Sequence, residues 1–183
     1  MAEGYQGLHG KLVDRFGAAG DALYTFVTCL LALAVSGLAA YVFGQPLLFP
    51  SLGPTALLFF EQPLDRSSSP RNTIIGHAVA ILAGVLSLAL FGLLDHQSVL
   101  VEGVTLARAG AAALSLALTG AVLLLVRSSH PPTGATTLIV SLGLLQTPRE
   151  MAMLMLGVVV LTVVSWVINR ALGVPMPLWT VKE

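Results

Sequence analysis

Phe49-Pro50-Ser51-Leu52-Gly53-Pro54-Thr55-Ala56-Leu57-Leu58 and His130-Pro131-Pro132-Thr133-Gly134-Ala135-Thr136-Thr137-Leu138-Ile139 are two copies of one pattern. Aligned without a gap, Pro50 falls on Pro131, Gly53 on Gly134, Thr55 on Thr136 and Leu57 on Leu138. Each copy is followed by a Ser/Thr-Pro-Arg triplet, Ser69-Pro70-Arg71 or Thr147-Pro148-Arg149, that opens a long apolar run. The prolines forbid a continuous helix through either copy. Helix breakers at matching places in two halves of an apolar chain are a sequence pointer to a transport site.

Composition sets the class around this pattern. Charged residues make up 10% of the 183 and apolar ones 56%, which leaves too little polar surface to cover a soluble domain. Apolar runs of about 20 residues, long enough for a hydrocarbon core about 30 Å thick, cover residues 23–43, 73–94, 105–126 and 151–168. The fold class is therefore an all-α membrane protein. Cys29 is alone inside an apolar run, a packing residue that says nothing of redox compartment. Residues 1–21 lack the apolar core and cleavage site of a signal peptide and do not read as a transit peptide. Leu8, Leu12 and Phe16 share one face of a short interfacial helix there, weakened by Gly10, Gly17 and Gly20. Zero net charge and the lack of a basic run argue against nucleic acid as a partner.

Each repeated segment reads as half extended and half helical. Pro46, Pro50 and Gly53-Pro54 bar a helix before about residue 53, after which residues 55–60 are helical with Gly53 as cap and Pro54 at the first position. In the second copy Pro131-Pro132 stiffens the entry, Thr133 or Gly134 caps, and residues 135–145 supply about three turns. Five or six extended residues reach about 16–20 Å, and ten helical ones add about 15 Å. Such a segment is long enough to cross a bilayer; the alternative is a re-entrant loop.

Charge placement separates the two, because cytoplasmic loops are enriched in Lys and Arg. Full crossing with an inside N-terminus puts Lys11, Arg15, Arg66, Arg71, Arg127, Arg170 and Lys182 on the cytoplasmic face, with Arg149 and Arg108 outside. The connector 95–103 then carries Asp95 and Glu102 but no Lys or Arg. Re-entrant loops erase this bias. The expected architecture is a helical bundle with two broken segments in a 3+3 inverted repeat: a cytoplasmic tail 1–21, a first repeat 22–94, an external connector 95–103, a second repeat 104–171 and a tail 172–183. Both termini are cytoplasmic, in a bacterial inner membrane.

Two half-helix N-termini meeting at the midplane form an anion site from N–H groups and helix dipoles. Dehydrating an anion costs many kcal/mol in a low-dielectric interior, whereas each helix end returns about 1–2 kcal/mol, so further donors are required. Ser51, Thr55, Thr133, Thr136 and Thr137 supply hydroxyls at that depth, beside Gly53, Gly134 and His130. His77 and His130 are candidate proton or gating groups; the plainer account is a neutral histidine bonded to a carbonyl. A co-transported proton would offset the roughly 2.3 kcal/mol per 100 mV that opposes anion uptake. Arg71 and Arg149 read as vestibule charges or as headgroup anchors, and the prolines and glycines as site builders or mere kinks. Gly76-Ala80-Gly84 and Ala107-Ala111-Ser115-Thr119 place small residues at spacing four, which lets helices approach closely. Glu61, Asp65, Asp95, Glu102 and Glu150 lie in loops and the histidines lack metal spacing, so no enzyme, metal or cofactor is expected.

His130-Pro131-Pro132 with Thr-Gly-Ala after it, and Ser69-Pro-Arg-Asn-Thr-Ile-Ile-Gly-His77 after Gly53-Pro-Thr-Ala56, resemble the HPP family of small integral membrane proteins. The likeness runs from about Ser36 to the end of the last helix. Bacterial and plastid members are described as nitrite transporters, commonly with four transmembrane helices. The resemblance therefore implies nitrite as substrate, with nitrate or formate as alternatives. Gly53-Pro54-Thr55 departs from the smaller Ser- or Ala-like residues of the family pattern. A non-transporting membrane scaffold subunit is the rival from another class. Expected partners are the bilayer, a small anion, protons and a second copy of the chain.

Overall fold

The Ser/Thr-Pro-Arg triplets are helix starts. Ser69 Oγ accepts the Asn72 N–H with Pro70 at the first helical position, and Thr147 forms a capping box with Glu150 ahead of Pro148. The computed structural model, which describes residues 6–180, contains α1 (Gly7–Phe16), α2 (Ala18–Phe43), α3 (Leu52–Glu61), α4 (Pro70–Leu90), α5 (Val99–Glu102), α6 (Leu106–Leu125), α7 (Thr133–Ser141) and α8 (Pro148–Ala171), with a 3-10 turn at Arg66–Ser68. Lys182, counted above with the inner-face charges, lies outside the described residues. No strand occurs among them.

α2, α4, α6 and α8 are long and apolar enough to cross a membrane. Their caps, which a hydropathy window does not see, start α4 and α8 three residues earlier than the apolar runs suggest. α3 starts at Leu52, ahead of its expected cap Gly53, and α7 at Thr133, one of its two expected caps, so that Ser51 and Pro132 are the N-caps. α7 stops at Ser141 instead of residue 145, and Gly143 follows in the left-handed region at φ 73°. α1 forms despite its glycines. A Cβ on Gly20 would run into the Leu12 carbonyl, so that glycine is what lets α1 lie on α2. Three carboxylates expected in loops belong to helices: Glu61 ends α3, Glu102 ends α5 and Glu150 is in the first turn of α8.

Hydrogen bonds sort the helix ends into two sets. At one end, Leu8 N–H donates to Leu172 and Arg71 N–H to Trp179, Tyr24 reaches Asn169, and Asn169 reaches the Phe59 carbonyl. The starts of α2 and α4 and the ends of α3 and α8 therefore gather there. The end of α6 joins them through Arg71, which donates to the Val126 and Arg127 carbonyls. At the opposite end, Val99 N–H donates to Leu142 and Arg108 donates to Gln97 and Ser141. Each broken segment thus leaves one end of the bundle and finishes at the other.

Packing follows a rule of exchange. α2 packs on α3 and α8, α6 packs on α7 and α4, α3 on α8, α7 on α4, and α4 on α8. Swapping α2, α3 and α4 with α6, α7 and α8 returns the same set of pairs. The interior joins an apolar cluster, Leu52, Phe59, Phe60, Leu154 and Leu161 among it, to an unusual number of buried polar side chains, among them Thr28, Thr55, His77, Thr119, Thr136 and Asn169, while Leu38, Leu82, Leu106 and Leu125 point outward. That distribution suits a lipid solvent.

Candidate functional site

The two broken segments bring their first helical turns to one histidine. Thr55 of α3, Thr136 of α7, His77 of α4 and His130 before α7 are all at most 1% exposed. His77 Nε2 lies 3.2 Å from Thr55 Oγ1, and its Nδ1 lies 2.7 Å from Thr136 Oγ1. One imidazole therefore links the two threonines that the duplicated pattern makes equivalent. His130 Nε2 sits 3.4 Å from the same Thr55 hydroxyl, its ring 5.3 Å from His77 in an edge-on pose. Its Nδ1–H donates to the Ser67 carbonyl at 2.7 Å. Gly76 makes room for this arrangement, because a Cβ there would come within 2.6 Å of Thr133 and 3.1 Å of His130.

Ser51 is fully buried at the N-cap of α3, and its Oγ has no hydrogen-bond partner. Thr133 and Thr137 do not join the cluster. The Thr133 hydroxyl donates to the His130 carbonyl at 2.7 Å, and Thr137 pairs with Thr119 of α6 at 2.8 Å. A Cβ on Gly53 would meet nothing, and one on Gly134 only Leu116 at 3.4 Å, so packing demands glycine at neither. The N-terminus of α7 is also less open than its sequence implies. The N–H groups of Thr133, Gly134 and Ala135 donate to the carbonyls of His130, Pro131 and Pro132, and the two prolines have none to offer. Hydroxyls and imidazole are thus the main donors at that end.

Beyond His130 a cavity of about 630 Å³ opens, lined in part by Asp65, Arg66, Ser67, Arg127 and Ser129. Arg127 has the one positive φ among non-glycine described residues, 51°. Its carbonyl accepts from both Arg66 and Arg71, at 3.4 and 3.2 Å. Arg149, the expected counterpart of Arg71, is exposed at the start of α8. Arg108, at the same end, is buried, only 2% exposed: its guanidinium donates to Gln97 O at 2.7 Å and to Ser141 O at the end of α7. Asn169 does the same for α3, donating to Phe59 O at 3.1 Å. Each half-helix thus ends against a polar side chain of a long helix. Asn169 and Tyr24 went unnoticed in the sequence, although a polar residue in an apolar run is itself a signal.

A family model described as HPP, transmembrane region, matches residues 15–177. No curated protein and no solved structure matches the chain.

Proposed function

The chain belongs to the HPP family of transmembrane proteins and is an integral membrane protein, and from that premise we propose that it transports a small monovalent anion, nitrite first, with nitrate or formate as alternatives. The observation that carries this reading is the Thr55–His77–Thr136 bridge. Hydroxyls and imidazoles join helices by hydrogen bonds inside a membrane bundle, and an ionisable residue buried there marks a functional site by default; here both converge on the starts of the two half-helices. Ser51 Oγ, buried without a partner beside them, is a donor in reserve. The positive end of the α3 dipole adds about half an elementary charge. The arginines around the 630 Å³ cavity gather anions from one end.

The helix ends support a 3+3 inverted repeat for the same reason. α2 and α6 run in opposite directions between the two ends, as do α4 and α8, and the packing pairs survive exchange of the halves. In that arrangement the shared site lies at mid-depth and the chain crosses six times. The orientation we propose has both termini in the cytoplasm of a bacterial cell, by the Lys and Arg bias of its loops.

Purified protein in liposomes tests this directly, with uptake of nitrite, nitrate, formate and chloride compared at two pH values. Uptake of nitrite above that of empty liposomes is expected. Liposomes as tight as empty ones to all four anions would favour a scaffold subunit.

A further inference from the structure

Five helices, α2, α4, α6, α7 and α8, end in one backbone pattern: a left-handed residue donates its N–H to the carbonyl three residues back, and the next residue donates to the carbonyl five back. The left-handed residue is Gly44, Gly92, Gly143 or Gly173 in four of them and Arg127 in α6. A Cβ makes that conformation costly, so glycine is what the backbone asks for at 127 as well. Gly44 meets the demand at the end of α2, which leads into the first broken segment as α6 leads into the second. An arginine held against its backbone preference points to a use for its side chain.

The arginines at this end divide the work. Arg71 commits both terminal nitrogens, donating to Val126 O and Arg127 O at 3.2 Å each and to Asn72 Oδ1 at 3.3 Å. Arg66 donates to the same Arg127 carbonyl at 3.4 Å. Both are positioning residues that hold the Arg127 peptide in place. The Arg127 side chain is different. It is exposed on the wall of the 630 Å³ cavity, and no described residue takes a hydrogen bond or an ion pair from its guanidinium. Asp65, the carboxylate on that wall, accepts instead from the Ser67 N–H and hydroxyl at 2.7 and 2.6 Å. Ser129 and Pro131, the neighbours of His130 on either side, line the same space.

We infer that Arg127 is the selectivity residue of this cavity, its guanidinium fork taking a planar oxyanion by two oxygens before the ion passes His130. This rests on the transport reading above and adds the rule by which ions are chosen. Nitrite, nitrate and formate each present two oxygens side by side in one plane. The parallel N–H groups of a guanidinium match that shape bidentately. Chloride is a single centre with no plane and engages no such fork. A lysine ammonium, a point charge on a flexible stem, would treat all four alike.

Two variants of the full-length protein test this in liposomes and in detergent. Arg127→Gly supplies the residue that the backbone prefers and removes the fork. It is expected to melt about 2–4 °C higher than the wild type, while its KM for nitrite rises about tenfold, the worth of one hydrogen bond to a charged group. A lower melting temperature together with lost uptake would make Arg127 a structural cap and overturn the proposal. Arg127→Lys keeps the charge. Chloride, expected to compete poorly with nitrite in the wild type, should compete in this variant as well as nitrate does. An unchanged KM in Arg127→Gly, or chloride still rejected by Arg127→Lys, overturns the role of Arg127 and leaves transport standing. No uptake of nitrite, nitrate or formate by the wild type removes both.

Discussion

Gly76 and Gly53 are both glycines near the histidines, yet they answer to different physics. Alanine at 76 would press a methyl to 2.6 Å from Thr133, and overpacking of this kind costs about 1–3 kcal/mol. Gly76→Ala is expected to lower the melting temperature in detergent and depress anion uptake, whereas Gly53→Ala should change neither. Thr136 and Thr137 make a second contrast. Thr136→Val takes from His77 its 2.7 Å partner, and Thr137→Val takes a hydroxyl from a pair with Thr119. Uptake should fall sharply for Thr136→Val and little for Thr137→Val, while both lose modest stability, about 1 kcal/mol for a hydrogen bond. The sequence shows two threonines side by side and marks Thr136 by its match to Thr55. What it hides is rotation: one residue turns about 100° round a helix at 3.6 residues per turn, so Thr137 looks at α6. The bridging of both threonines by His77 is likewise invisible, since depth in a helix says nothing of which neighbours meet a side chain.

The four long helices were legible because about 20 apolar residues have one stable form in lipid. Their half-length companions were legible through proline and glycine, but their limits were not, because these depend on partners far along the chain. Arg108 illustrates the difficulty. A charge in the first turn of a membrane helix reads as reaching outward to water, and here it turns inward to the Ser141 carbonyl. Hydrogen bonds to charged groups contribute about 1.5–3 kcal/mol, so Arg108→Leu should lower stability by that order, read by thermal unfolding in detergent. In the adjoining connector, burial works to raise the Glu102 carboxyl, but the Gln97 N–H, His96 and Arg108 outweigh it and hold it below the usual range. A depressed carboxylate stabilises above its unfolded value, about 4.3, and the stabilisation is lost as pH falls through the folded one. Exchange protection of the Gln97 amide should therefore decline only below about pH 4.3, and Glu102→Gln should flatten that profile.

At the scale of the whole molecule, the six-crossing arrangement makes a prediction independent of transport. In a Cys29→Ser background, a cysteine placed in the 61–70 loop should react with an impermeant thiol reagent from the cytoplasmic side alone, and one at Asp95 from the outside alone. Outside labelling of the first would restore re-entrant loops.

The Asn169 bond to the Phe59 carbonyl spans 110 residues of chain, and it bears on how the protein is made. α3 leaves the ribosome early, preceded by an extended stretch whose Leu47 backbone rests against Gly157. Both supports belong to the last helix. Until α8 arrives, that stretch has bare peptide groups that lipid does not tolerate. A nascent chain stopped before Pro148 should therefore keep its first broken segment outside the bilayer core, making biogenesis a late, all-or-none event.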